Sequence, residues 1–242
     1  MNEIGFDKLE SNKKFNPENL DIYSINDTKK ICELEISKFN SEDCRYTTLK
    51  RSVLTNFLIK DLDCFLVPIG GGGFMIIHDK NTNTDYALDY REMAPNKATE
   101  DMFIVDGKVD RNLALESYLS SGVPGTVYGL YIAHQRFGIL PWKKLIEPAI
   151  ILAKDGFLIT DTVAKSLETY KEKLSKTTDG RKIFFKDGSI LKSGEILVQS
   201  DLANTLKLIA QTGPAGFYKG ITAQKIQLDM RKNGGLISSA DL

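Results

Sequence analysis

Apolar residues alternate in one short part of the chain and recur at helical spacing through most of the rest. "FMIIHD" (Phe74–Asp79) and "DYALDY" (Asp85–Tyr90) alternate over strand length and are joined by the turn-prone "NTNT". "CFLVPI" precedes them across four consecutive glycines, Gly70–Gly73, so the pattern predicts a small antiparallel meander. From Ser121 the period lengthens. In "SGVPGTVYGLYIAHQRFG", Val127, Leu130, Tyr131 and His134 share a helical face that Gly138 should end. "LPWKKLIEPAIILAKDG" has Pro141 at a helix start and Gly156 past its end, while Pro148 inside it should kink the helix or split it in two.

Further on, "TDTVAKSLETYKEKLS" predicts a helix capped by Thr160 or Asp161, and the Asp187-Gly188 pair in "IFFKDGSILKSGEIL" predicts a tight hairpin. "SDLANTLKLIAQTG" offers Ser200 as a cap and Gly213 as a stop. "KGITAQKIQLDMRKNGG" repeats the device, with Ile221, Ile226 and Met230 as its inner face. "ISSADL" reads as a cap at Ser238 or Ser239 with an acidic first turn and no helix behind it. Residues 1–62 differ: they are rich in Lys, Asn, Glu and Asp, and "DTKKICELEISKFN" is their one partly amphipathic stretch. No repeat of fixed period runs through the chain.

Composition narrows the function classes. Of 242 residues 42% are hydrophobic, and Lys plus Arg equals Asp plus Glu at 32 each, so no net field gathers nucleic acid or an anionic membrane. Cys32, Cys44 and Cys64 have no zinc or redox spacing and read as reduced thiols. The start lacks the charged-then-apolar pattern of a secretory signal, and no apolar run reaches the ~18 residues of a membrane span. As written, the chain is expected to stay where it is made.

Few side chains carry chemistry. Gly70–Gly73 permit close approach of a backbone or a ligand, but without a following Lys-Ser/Thr they are no phosphate loop; a bend between strands is the plainer reading. Arg91 has the planar fork that pairs with a carboxylate, but by residue type alone a salt bridge to Asp89 or Glu92 is the better account of it, because surface ion pairs are common. "SGVPGT" opens a helix whose amides could face an anion or simply form a turn and cap. His78 and His134 are far apart with no Ser or Cys beside a base, which leaves no triad or zinc site; His134 and Trp142 read as packed residues.

Taken together, "GGGGFM", "ALDYREMAPNKAT", "SGVPGTVYGL", "FGILPWKKLIEPAIILAKDGF", "GPAGFYKG" and "KNGGLISSADL" resemble, in order and spacing, the large-subunit region of γ-glutamyltransferases, also called γ-glutamyltranspeptidases or glutathione hydrolases. The resemblance implies an α+β fold: an incomplete αββα sandwich of the N-terminal-nucleophile hydrolase kind, in a mostly helical large-subunit portion. It further implies transfer of the γ-glutamyl group of glutathione to water or an amino acid through a threonine acyl-enzyme. No metal or organic cofactor is implied. The partners implied are glutathione or other γ-glutamyl compounds and the small subunit of the same precursor.

Residue by residue, the resemblance carries over one site position: Arg91, in "REMAP", as the binder of the donor's α-carboxylate. The family's catalytic threonine and oxyanion-hole glycines have no counterpart in these residues, and neither Thr99 nor Thr126 matches the nucleophile. Residues 63–242 are therefore expected to be a large-subunit region cut before the small subunit, and residues 1–62 a divergent segment. The resemblance implies an exported or membrane-attached protein, whereas the start shows no address, so location stays unassigned. Two functions remain open: the large-subunit part of a γ-glutamyltransferase, or an inactive remnant that binds a carboxylate without catalysis.

Overall fold

Alternation along Phe74–Asp79 turns Met75 and Ile77 inward and leaves Phe74, Ile76 and His78 outside. The computed structural model describes residues 22–24, 69–79 and 81–242. The helix expected over 27–40, the strand expected from "CFLVP" and all three cysteines lie outside the described residues. The backbone of β1 (Ile22–Ser24), β2 (Phe74–Asp79) and β3 (Thr84–Asp89) forms an antiparallel sheet in the order β1-β3-β2. The hairpin register pairs Met75 with Leu88 and Ile77 with Tyr86. The strand beside β3 thus comes from residues 22–24, on the edge opposite β2.

A two-residue hairpin, β4 (Ile104–Val105) and β5 (Lys108–Val109), leads to α1 (Arg111–Glu116), which the Asp110 carboxylate caps through the amides of Asn112 and Leu113. α2 (Thr126–Phe137) crosses the inner face of the sheet, where Ala133 joins Met75, Ile77, Leu88 and Tyr90 in one apolar cluster. Gly138 ends α2 in extended rather than left-handed backbone. A Cβ there would lie 2.3 Å from the His134 ring, so steric room is what requires glycine.

α3 (Trp142–Asp155) packs along α7 (Ser200–Thr212). With α2 and the short α8 (Ala215–Tyr218) they bury Val127, Ile146, Ile209, Phe217 and Tyr218. α3 is not divided at Pro148. The missing N–H leaves the Lys144 carbonyl without its helical partner, and Lys144 is exposed, so water can serve that carbonyl. Gly156 ends α3 at φ 87°, as expected.

Between α3 and α7 lies a second apolar cluster, centred on Ile159, Val163, Leu167, Ile190 and Leu197. The single helix expected from Thr160 is two, α4 (Asp161–Thr169) and α5 (Lys171–Ser175), broken at Tyr170. Thr160 caps α4 by accepting from the Val163 amide. α6 (Thr178–Phe184) takes the first residues of the stretch expected to be a hairpin. β7 (Phe185–Lys186) and β8 (Ser189–Ile190) then turn at Asp187 and Gly188, both at positive φ as a tight hairpin requires. β6 (Phe157–Leu158) pairs with β9 (Ile196–Leu197).

Two further expectations are corrected. Ser200 does not cap α7: it is the first helical residue, and Gln199 precedes it without a side-chain cap. On α9 (Gly220–Lys232) the buried residues are Thr222 and Ala223, while Ile221 is exposed. Ile226 packs against the core as expected, and with Ile221 and Met230 it also lines an open cleft of about 500 Å³. The Thr222 hydroxyl donates to the Gly216 carbonyl at 2.8 Å, which explains how a polar residue takes the inner place. The described chain is α+β and mainly helical.

Candidate substrate-binding site

The segment from Tyr90 to Asn96 is irregular backbone, yet it is fastened at three points. Tyr90 exchanges two backbone hydrogen bonds with Gly73, its N–H donating at 2.9 Å and its carbonyl accepting at 3.3 Å. Met93 forms an antiparallel bridge with Val123, at 2.7 and 3.2 Å. The Asn96 N–H donates to Asp241 Oδ1 at 2.7 Å. Arg91 and Glu92 hang between the first two.

Glycines set how closely this segment is approached. A Cβ on Gly72 would stand 2.7 Å from the Arg91 Cα, one on Gly125 would stand 2.2 Å from the Tyr90 carbonyl oxygen, and one on Gly129 would stand 2.3 Å from the Tyr90 Cβ. No side chain fits at any of these places, so the glycine run and the start of α2 clasp the Tyr90–Arg91 backbone from two sides. Burial pushes the Tyr90 hydroxyl above its ordinary pKa.

"SGVPGT" resolves into a turn and a helix start. Gly125 and Thr126 donate their N–H groups to the Gly71 carbonyl at 2.9 and 3.0 Å, and the Tyr128 N–H donates to the Tyr218 hydroxyl at 3.4 Å. Tyr218 in turn donates to the Pro124 carbonyl at 2.8 Å. These amides are spent on the fold, which favours the structural reading of the segment over an anion site. Burial raises the Tyr218 hydroxyl's pKa, an effect the Tyr128 N–H partly opposes.

Arg91 itself is exposed, and among the described residues no carboxylate lies within ion-pair distance of it. Asp89, one of the two expected salt-bridge partners, accepts the Arg91 backbone N–H at 2.9 Å. The guanidinium lies over the Phe74 ring, 5.7 Å from its centroid. Arg91 is not among the residues lining the cleft, whose wall does include Gly70 and Gly122. A Cβ on Gly122 would meet the Glu92 side chain at 2.8 Å, so cleft and Arg91 segment share that wall.

The remaining candidates are packing residues. His134 Nε2 donates to the Leu140 carbonyl at 2.7 Å, and its ring lies 5.1 Å from that of Trp142. Trp142 Nε1 donates to the Ile209 carbonyl at 2.9 Å. His78 pairs across the hairpin with Asp85 at 2.7 Å, on the exposed face. Among the described residues no cluster of His, Cys, Asp or Glu is placed to hold a metal ion.

The sequence reading missed Asp241, a residue only 3% exposed. Burial opposes its charge, but donors from Ser238 and Asn96 outweigh that and hold the carboxyl below the ordinary range. Ser238 donates through its N–H at 2.8 Å and its hydroxyl at 2.6 Å. The spacing of Ser238 and Asp241 was visible as a cap-like signal; the partner Asn96, 145 residues away, was not.

Comparison with known proteins decides the ancestry. The family model described as Gamma-glutamyltranspeptidase matches residues 55–242. The chain belongs to the γ-glutamyltranspeptidase family. It is 49% identical over 176 residues to the glutathione hydrolase proenzyme of Escherichia coli (strain K12), a match covering 72% of this chain and 30% of that protein. Glutathione hydrolase 3 of Arabidopsis thaliana is 40% identical over 174 residues, covering 72% of this chain and 27% of the relative. The crystal structure of Helicobacter pylori γ-glutamyltranspeptidase superposes with a TM-score of 0.74 at 40% identity, over 79% of this chain and 55% of that one. The chain thus spans about 30% of the length of the E. coli relative, and it has the fold of the corresponding part of a γ-glutamyltranspeptidase. Among the described residues no helix is long and apolar enough to cross a membrane.

Proposed function

We propose that this chain is the large-subunit portion of an enzyme that transfers γ-glutamyl groups, and that Arg91 grips the α-carboxylate of the donor. Residues 63–242 form that portion, and residues 1–62 are a divergent lead-in. The observation that carries the reading is the Arg91 guanidinium: exposed, unopposed by a carboxylate among the described residues, and mounted on a backbone clasped by glycines. A planar fork left free in this way suits two parallel hydrogen bonds to an amino acid's carboxylate.

In the complete protein, a threonine of the small subunit attacks the γ-carbonyl carbon of glutathione or another γ-glutamyl amide. The C–N bond breaks, the amine leaves with the proton taken from the threonine hydroxyl, and an ester remains. Water or an amino acid then takes the acyl group and restores the hydroxyl. The role of this chain is to fix the glutamyl end so that its carbonyl meets the nucleophile. No metal or organic cofactor enters that sequence.

In the two-subunit protein, Arg91→Lys keeps the charge and loses the fork, and it is expected to weaken donor binding by roughly 2–5 kcal/mol. The affinity for a γ-glutamyl substrate measures this; an unchanged value overturns the role of Arg91. The 242-residue chain alone is expected to leave a γ-glutamyl anilide intact. Turnover by it would place the nucleophile inside this chain.

A further inference from the structure

The far end of the described chain bears on the Arg91 segment through one buried carboxylate. Asp241 accepts the Asn96 N–H on Oδ1 and both Ser238 donors on Oδ2, and among the described residues no cation pairs with it. A carboxylate this enclosed, satisfied by neutral donors alone, would be costly to bury without all of them in place. Its donors come from two segments, Ser238 from its own turn and Asn96 from the segment that carries Arg91. Of the three fastenings of that segment, the first two flank Arg91 through contacts with the glycine run and Val123. The third holds the segment three residues past the Met93 bridge, where the chain turns, with the Ala98 N–H on the Pro95 carbonyl at 2.9 Å.

We infer that Asp241 is a positioning residue for substrate binding: it locks the Met93–Asn96 backbone so that Arg91 is held at a fixed height over Phe74. This rests on the reading of Arg91 as the carboxylate grip, but the lock itself can be tested without it. Asp241→Asn keeps the shape and cannot serve all three donors, because one of its two terminal atoms is itself a donor.

Two measurements on the two-subunit protein test the lock. Amide exchange at Asn96 and Ala98 is expected to quicken by about tenfold or more in Asp241→Asn, with α7 unchanged. The Arg91 side-chain NMR signals are expected to carry the ring-current shift of Phe74 in the parent, whose ring centroid lies 5.7 Å from the guanidinium, and to relax toward free-arginine values in the variant. Unchanged exchange or unchanged Arg91 signals overturn the proposal. If Asp241→Asn does not fold, Ser238→Ala removes one bond of the three and is expected to move both readouts less far in the same direction; no movement overturns the lock equally.

In the two-subunit protein the donor KM is expected to rise about fivefold with kcat nearly kept, and this increment is expected to vanish in an Arg91→Lys background. An equal increment in both backgrounds means Asp241 acts through something other than Arg91 and overturns the proposal. If exchange and Arg91 signals move while KM does not, the lock stands and the reading of Arg91 as the grip fails.

Discussion

Asp241 also makes stability depend on acidity in a defined direction. Its carboxyl is held below its ordinary value in the folded chain, so the stabilisation is complete above the unfolded pKa and is lost as pH falls through the folded one. The difference in melting temperature between the parent and Asp241→Asn is therefore expected to be full above about pH 5 and to close below about pH 4. A difference that persists into strong acid would show that the charge is not what matters. At this scale the sequence displayed residue types but not their neighbours. The fork of Arg91 was legible as a side chain suited to a carboxylate, yet the absence of a salt bridge to Asp89 or Glu92 depends on where three side chains point. The Asn96–Asp241 bond spans a separation that no local pattern encodes.

Elements were more legible where a local rule suffices. β2 runs from Phe74 to Asp79 because alternation and a turn bound it, and the Asp187-Gly188 hairpin forms because both residues tolerate positive φ. Pro148 shows where a local rule yields to packing. α3 buries Leu145, Ile146 and Ala153 on both sides of it, and that burial holds the helix together across the missing hydrogen bond. Pro148→Ala restores the N–H to the Lys144 carbonyl and is expected to raise stability by about 1–2 kcal/mol, less than the full cost of a mid-helix proline because the half-buried ring is lost. Denaturant unfolding measures it, and a loss of stability would mean that the ring's packing outweighs the bond. The break at Tyr170 was not legible, since Leu167 and Leu174 keep helical phase across it.

For the molecule as a whole, the glycine run, α2 and the Ser238–Asp241 turn converge on one short segment, an arrangement visible in the fold and not in the order of motifs. The resemblance supplied the fold class because six motifs in register carry information that periodicity lacks. Much apolar surface stays open. Phe74, Leu115, Ile139 and Leu228 are exposed, and the outer edge of β2 has no strand beside it among the described residues. Such a surface favours association. The isolated chain is expected to self-associate at micromolar concentration, as sedimentation would show, and a monodisperse sample with a sharp cooperative melt would contradict this.

The link between Asn96 and Asp241 also orders events during synthesis. A ribosome makes the loop long before it makes the acid that latches it, so a nascent chain is expected to hold its guanidinium loosely until Asp241 emerges. Chains cut just before Ser238 should keep their helical core and still present a wandering arginine.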